Sequence, residues 1–361
     1  MNNLNFLIHH FPFLSSIVSF IVGLIFMPKV IEIAKKRNFV VKPNKRTSHQ
    51  GAIPNIGGVN IFLSFFITVF LFSFEAVAQV QFIILGVFII LVVGFVDDLI
   101  DIKPKWKLVG EVLSAFFLIV LADVRLTNFH GFMGVFGLSL GVSYLISFFV
   151  FLVIINALNL IDGVDGLASG LGGIYCLFFG VYFYLTNHYE LSISAFSMFG
   201  SLLLFFIYNV YGNKRKIFMG DSGSLLLGFL VTLYVFQFCE MNVNPTFESI
   251  YSMSSAPAVA VCLLSVPLFD TLRVFVTRIK KGVTPFRPDK NHIHHLLLRI
   301  GLKHKHVTYV LLSVTLVFVA LGLIGRNWWI GALIVVALML ATVLTYMLWR
   351  LVDQSSSQNK K

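Results

Sequence analysis

The chain is short of charge. Only 12% of its 361 residues are Asp, Glu, Lys or Arg, about half of the roughly 25% found in a soluble globular domain. Acids are the scarcer sign, 16 against 27 Lys and Arg. Cysteine is nearly missing: Cys176, Cys239 and Cys262 stand far apart in apolar segments. That argues against a disulfide framework or a thiolate metal motif and leaves them as small core residues. No polar stretch is long enough for a soluble domain, and the only low-complexity text is the tail from Gln354 to Lys361. The first apolar run lacks a cleavage signature after it, so it is expected to remain as an anchor.

What is present is hydrocarbon. The composition is 58% hydrophobic and the mean hydropathy is +0.89. Apolar runs of about 20 residues fit membrane helices, whereas barrel strands alternate over about ten. The expected fold is an all-α polytopic membrane protein, one domain over residues 1–361, with about eleven spans by the length rule. These lie near residues 12–34, 57–74, 78–96, 106–122, 143–158, 167–185, 191–210, 224–240, 256–277, 307–325 and 328–349. The Gly-rich, partly alternating stretch 124–142 predicts a short hairpin.

The basic residues fall on one side of this ladder. Alternate loops carry Lys35, Lys36, Arg37, Lys42, Lys45 and Arg46, then Lys103, Lys105 and Lys107, then Lys214, Arg215 and Lys216, and finally Arg278 to Lys305; the opposite loops hold only Arg125 and Arg326. The positive-inside rule makes the first set cytoplasmic, which puts the N-terminus and the hairpin outside and the C-terminus inside. The excess charge serves topology and contact with anionic lipid in the bilayer, and no nucleic-acid partner is expected.

Every polar cluster falls on that same side. The stretch Asn156 to Gly170, N-A-L-N-L-I-D-G-V-D-G-L-A-S-G, stands between two apolar runs. Asn156, Asn159 and Asp162 are three apart and share a helix side. Gly163 and Gly166 break the helix and let backbone approach a ligand, with Asp162 and Asp165 flanking the break. Ionisable groups at a hydrocarbon boundary are costly and usually functional. The sequence G-F-V-D-D-L-I-D supplies Asp97, Asp98 and Asp101 within one turn. Three such carboxylates repel one another unless a cation sits among them.

Further clusters favour phosphate. Lys42, Lys45, Arg46 and His49 in the first basic loop are donors suited to phosphate oxygens. In F-M-G-D-S-G-S-L, Asp221 either caps the helix that follows or holds Mg²⁺ beside a bound phosphate, and Phe218 offers a face for a flat base. Asp270 and Arg273, spaced i,i+3, read as a pair that orients the next loop. In P-D-K-N-H-I-H-H-L, Asp289 or Asn291 is placed to cap a short helix whose Ile293, Leu296, Leu297 and Ile300 line one side. His292, His294 and His295 are too close-packed for the usual zinc pair at i,i+4, and hydrogen bonds to a diphosphate fit better.

These motifs, in this order, resemble the polyprenyl-phosphate N-acetylhexosamine-1-phosphate transferase superfamily over nearly the whole chain. The H-I-H-H form and the K-P-N…H-Q-G-A-I-P first loop resemble its bacterial undecaprenyl-phosphate GlcNAc-1-phosphate transferase branch, which initiates O-antigen, common-antigen or teichoic-acid linkage sugars. Ile293 departs from the H-H-H-x-E motif of the peptidoglycan branch. The resemblance implies a glycosyltransferase 4 family enzyme of the bacterial inner membrane with its site on the cytoplasmic face. It implies transfer of an N-acetylhexosamine 1-phosphate from a UDP-N-acetylhexosamine to undecaprenyl phosphate, with release of UMP. It implies Mg²⁺ or Mn²⁺ held by Asp221, with Asn159 as a further ligand. It implies Asp97 and Asp98 near the attacking phosphate as base, nucleophile or orienting groups. Asn156, Asp162 and Asp165 would face the nucleotide-sugar, Phe218 the uracil, Lys42 the lipid phosphate, and His292, His294 and His295 the diphosphate. The identity of the sugar stays open, and a homodimer is compatible with this picture. The competing reading is a transporter of nucleotide-sugar or lipid-linked sugar. Transporters place binding groups near the midplane and often carry inverted repeats; here the polar groups sit on one side and no repeat is seen. A CDP-alcohol-type phosphotransferase is disfavoured because no Arg follows an Ala in the expected manner after Asp162.

Overall fold

A computed structural model describes residues 2–41, 52–73, 80–243, 250–282 and 291–358. In chain order the helices are α1 (Asn2–Lys36), α2 (Gly57–Phe72), α3 (Gln81–Ile100), α4 (Pro104–Phe116), α5 (Leu140–Ile161), α6 (Leu167–Leu185), α7 (Tyr189–Tyr211) and α8 (Gly220–Met241). They continue as α9 (Ala256–Leu263), α10 (Ser265–Lys280), α11 (Ile293–Arg299), α12 (His304–Ile324) and α13 (Ile330–Gln358). A π turn, Phe117–Leu121, extends α4. Two small antiparallel pairs accompany them: β1 (Val40–Val41) with β2 (Ile53–Pro54), and β3 (Asn128–Phe132) with β4 (Val135–Gly137).

All eleven apolar runs reappear as helix, so the chain is a mostly helical, multi-pass membrane protein. Length and composition alone bear out part of the expected count of eleven. Among the described residues, eight helices are long and apolar enough to cross a bilayer, and nine if α9 and α10 form one broken span. The helix α2 has 16 residues, and α4 has 13, which the π turn lengthens to Leu121; both are shorter than the ~20 residues typical of a span. The break between α9 and α10 bends the pair by 79°. Pro267, in the first turn of α10, lacks the N–H that a continuous helix would use, and its ring opposes the carbonyl four residues back.

The core sits on α8. Every residue from Ser222 to Phe236 is buried, as expected of a helix apolar on all sides. It packs against α3, α5 and α2, while α1, α2 and α6 assemble around α7. Small residues set the closest approaches: a Cβ on Gly58 would lie 2.1 Å from the Gly223 nitrogen, and one on Gly94 2.6 Å from the Ser222 Cα. Apolar lipid gives helices no hydrophobic drive to associate, so close backbone packing must supply it.

The predicted hairpin is present as β3–β4, turning at Met133 and Gly134, both with positive φ. Thr127 ties its base to α8 by donating its N–H and its hydroxyl to the Glu240 carboxylate, at 2.7 and 2.6 Å.

Candidate active site

Two glycine-rich segments dock first. Residues 54–58 and 217–221, far apart in sequence, pair through backbone bonds. Phe218 N–H donates to Pro54 O (2.8 Å), Gly57 N–H to Phe218 O (2.9 Å) and Gly58 N–H to Met219 O (2.8 Å). Gly220 lies at φ +71°, and a Cβ there would meet Asn55 O and Asp98 Oδ2 at 2.5 Å. Only glycine fits both the dihedral and the space. This clasp fixes where α8 begins, and therefore where Asp221 stands.

Asp98 supplies the cap that α8 lacks from its own sequence. Its Oδ1 accepts the Asp221 N–H at 2.7 Å and the Asn55 amide at 3.0 Å; its Oδ2 accepts the Ser222 N–H at 3.0 Å and the Ser222 hydroxyl at 2.7 Å. A carboxylate at a helix N-terminus satisfies orphan N–H groups and favours the helix dipole. Asp221 therefore does not cap its own helix, which was one of its two sequence readings. Its carboxylate turns outward, to the Lys107 ammonium at 2.6 Å and the Asn159 amide at 2.8 Å.

The three acids of the D-D-L-I-D run do not gather round one cation, contrary to the sequence expectation. Asp101 ends α3 at φ +51° and is exposed. That left-handed step turns the chain away, and Asp97 accepts the Ile102 N–H at 2.9 Å and Lys107 Nζ at 3.0 Å. Lys107 thus bridges Asp97 of α3 and Asp221 of α8 from the first turn of α4. One helical turn along, Glu111 is 1% exposed and accepts the Asn156 amide at 2.7 Å. Asn156 and Asn159 share a face of α5, and Asn159 also donates to Ser224 Oγ at 2.9 Å.

The D-G-V-D-G loop closes the other flank. Asp162 caps the end of α5 and lies just beyond it, not on the helix face with Asn156 and Asn159. Its carboxylate accepts no hydrogen bond among the described residues. Burial, together with the Asp221, Asp98 and Asp165 carboxylates, pushes it well above the usual carboxylate range. Asp165 Oδ2 meets Lys216 Nζ at 2.6 Å, and Lys216 Nζ lies 5.6 Å from the Phe218 ring centroid. Gly166 takes φ +74° and its N–H is held by Asn209, which also donates to Ile217 O. Thr308 of α12 donates to Asp165 O at 2.6 Å, and His304 Nδ1 lies 3.6 Å from the Asp165 carboxylate.

The histidines reach this loop through α10. Asp270 is buried; its Oδ1 accepts Arg273 Nη2 at 2.8 Å and the Ile293 N–H at 2.9 Å, and its Oδ2 contacts His292 Nδ1 at 2.9 Å. Arg273 also donates to Asn291 O. The expected pair does orient the loop, and the cap on α11 comes from Asp270. Asn291 does not cap this helix, and Asp289 lies outside the described residues. Leu296 and Leu297 are buried beneath the helix as expected. His292 and His294 stack with ring centroids 5.7 Å apart, and His295 lies tilted against His294 at 4.3 Å. A Cβ on Gly163 would sit 2.7 Å from His294 Nε2, so glycine there admits the imidazole. Burial, then the neighbouring His295, lowers His294 to about 3; it is a neutral hydrogen-bonding group.

Asp97, Asp98, Asn156, Asn159, Asp162, Asp165, Phe218, Asp221, His292, His294 and His295 therefore lie along connected elements at one end of the bundle. Lys42 lies outside the described residues. Lys107 entered the sequence reading only as topological charge, and Glu111, Asn55, Ser222 and His304 were missed. Lys107 and Glu111, i,i+4 on a mostly apolar helix, were the available signal.

The donor set fits a small hard cation. Asp97 and Asp221 already share one cationic group, Asp162 stands uncompensated beside them, and the ligating atoms are oxygens. Among the described residues no group of three or more His, Cys, Asp or Glu is arranged to hold a metal ion. Magnesium does not need one, since it takes one or two carboxylates and completes its shell with phosphate and water.

The sequence profile of glycosyl transferase family 4 matches residues 80–238, the segment from α3 to α8 that carries the acids and amides described above. The chain is 30% identical over 322 residues to the undecaprenyl-phosphate alpha-N-acetylglucosaminyl 1-phosphate transferase of Pasteurella multocida, covering 88% of this chain and 87% of that protein. It is 29% identical over 334 residues to the protein of the same name from Yersinia pestis, covering 91% and 88%. To that of Escherichia coli K12 it is 27% identical over 298 residues, covering 82% and 78%. The similarity extends past the profile segment on both sides and through the histidine helix, and by it the chain belongs to glycosyl transferase family 4.

Proposed function

We propose that the chain transfers N-acetylglucosamine 1-phosphate from UDP-N-acetylglucosamine to undecaprenyl phosphate and releases UMP, as the first step of a cell-surface polysaccharide. The observation that carries this is the convergence of Asp97, Lys107, Asn159 and Asp221, from four helices, at one end of a membrane bundle. Phosphoryl transfer needs positioning and charge neutralisation more than covalent help from the protein. The relatives' names supply the lipid phosphate and the sugar phosphate.

In this reading an oxygen of the lipid phosphate attacks the sugar-bearing phosphorus. The bond from that phosphorus to the bridging oxygen breaks, and UMP departs with that oxygen. A phosphate monoester, with a second pKa of about 6, is largely a dianion at neutral pH, so no strong base is required. Asp98 serves as a positioning residue, because both its oxygens are committed to the start of α8. Asp97 and Asp221 face the reacting groups, and Asn159 orients Asp221. Mg²⁺ or Mn²⁺ would be held by Asp221 with Asp97 and the Asn159 carbonyl oxygen beside it, and when bound it would neutralise diphosphate charge. Neutral His294 donates or accepts a hydrogen bond, and Lys216 with Phe218 offers a cation and an aromatic face to a uridine.

The site is assigned to the cytoplasmic face of the bacterial inner membrane, with the N-terminus outside. Lys35, Lys36, Lys103, Lys105, Lys214, Arg215, Arg278, Lys280, Lys303 and Lys305 flank the helix ends that carry it, which supports this orientation. A homodimer is compatible with this arrangement. The test is UMP release over a panel of UDP-sugars with undecaprenyl phosphate and Mg²⁺, for the wild type and Asp221→Ala. UMP release that needs both lipid phosphate and Asp221 is expected, highest with UDP-N-acetylglucosamine. Substrate uptake into sealed vesicles without UMP release would establish the transporter instead.

A further inference from the structure

Lys107 stands where a divalent cation held by both Asp97 and Asp221 would stand. Its ammonium is 3.0 Å from Asp97 Oδ2 and 2.6 Å from Asp221 Oδ2. Magnesium needs its carboxylate oxygens at about 2.0–2.1 Å and tolerates no cation against them. An ammonium and a dication cannot share one pair of oxygens in a half-buried site, where their repulsion is weakly screened. The ammonium therefore has to leave when the ion enters, and a long, flexible lysine stem permits that.

The same helix holds a place for it. Glu111 is four residues on, on the same face of α4. It is buried at 1% exposure, and one of its oxygens is held by Asn156. Its other oxygen accepts no hydrogen bond among the described residues. A buried carboxyl group with a single amide partner is under-satisfied, and the function proposed above gives it no task.

We propose that Lys107 and a divalent cation are alternative occupants of the Asp97–Asp221 pair, and that Glu111 is the positioning residue that receives the lysine ammonium when the ion binds. The exchange keeps the site near charge balance in both states and prevents two bare carboxylates from facing each other before the ion arrives. It rests on the reading of Asp221 as a divalent-cation ligand.

The experiment is Mn²⁺ binding to the purified full chain without substrates, followed by the electron paramagnetic resonance signal of free Mn²⁺. Lys107→Met should bind Mn²⁺ about tenfold more tightly, because no internal cation competes. Glu111→Gln should bind about threefold or more weakly, because the displaced lysine has lost its acceptor. In the Lys107→Met background, Glu111→Gln should change nothing, the signature of a residue that acts through another. Lys107→Met binding with wild-type affinity or weaker would overturn the exchange. So would Glu111→Gln weakening the ion equally in both backgrounds, which would make Glu111 a ligand. If Lys107→Met does not fold, wild-type affinity in the single Glu111→Gln variant is the overturning result. Should the wild type bind no Mn²⁺, or Asp221→Asn bind it as well as the wild type, the metal reading itself falls and the exchange with it. If Asp221→Asn loses the ion while Lys107→Met is unchanged, only the exchange falls.

Discussion

Asp98→Ala should unfold the site before it disables any chemistry. The first four N–H groups of a helix have no partner inside it, and two of those of α8, from Asp221 and Ser222, donate to Asp98 at 2.7 and 3.0 Å. A hydrogen bond to a charged group contributes about 1.5–3 kcal/mol, and a buried donor left alone costs about 1–3 kcal/mol. The Ser222 hydroxyl and the Asn55 amide can turn to other acceptors, so the two backbone bonds dominate. Together they give an expected loss of about 3–5 kcal/mol for Asp98→Ala. Asp98→Asn keeps one carbonyl oxygen on Asp221 N–H and points an amide at Ser222 N–H, so about 1–3 kcal/mol is expected. Because α8 is the central helix, fraying at its start should loosen the whole bundle. Denaturant unfolding in detergent measures this. A thiol-reactive dye is the natural reporter, since Cys176, Cys239 and Cys262 are all buried. The reasoning is refuted if Asp98→Ala unfolds like the wild type while UMP release vanishes. In that case Asp98 belongs to the chemistry and the cap is incidental.

Gly163→Ala should separate activity from stability. The added methyl would lie 2.7 Å from His294 Nε2, at an exposed position without positive φ. UMP release is expected to fall about tenfold, as for a reacting group misplaced by a fraction of an ångström, with unfolding changed by less than about 1 kcal/mol; equal activity would place His294 outside the site. His294 also predicts a pH slope. Its native value of about 3 lies below the ~6.5 of an unfolded histidine. Below that unfolded value, the unfolded chain binds a proton that the native one does not. Its contribution thus costs the wild type about 1.4 kcal/mol per pH unit on going down from ~6.5 toward 3, and nothing above ~6.5. His294→Gln should remove that slope when unfolding is compared at pH 5.5 and 7.5, and an unchanged difference would mean that the native imidazole takes up the proton. Asp101→Asn should leave turnover within about twofold of wild type, since Asn tolerates the left-handed C-cap and the residue faces solvent. Asp97→Asn should lose most activity, and equal tolerance at both positions would undo the separation drawn within the acidic run.

Composition, run length and the one-sided lysines were enough to fix the class of molecule, because hydrocarbon forces the backbone to satisfy itself within helices. The motif text was enough for the family and for most of the side chains that the structure gathers at one end of the bundle, because ionisable residues in apolar surroundings are rare. The hairpin near Asn128 and the histidine helix were legible for a simpler reason, since local periodicity and turn residues decide both. Partnership was not legible. Asp97 and Asp98 are neighbours in sequence, yet successive positions on a helix point about 100° apart. One consequently faces Lys107 and the other the start of α8. The 79° break at Leu264 decides that Asp270 caps a helix more than twenty residues further on. Lys107 read as a topological charge, and Glu111 did not register at all. Only the packing of α4 between α3 and α5 shows that one bridges two acids and the other waits a turn away. Sequence reports which side chains are expensive to bury; three-dimensional packing decides which of them meet, because the contacts that compensate a buried charge come from distant parts of the chain.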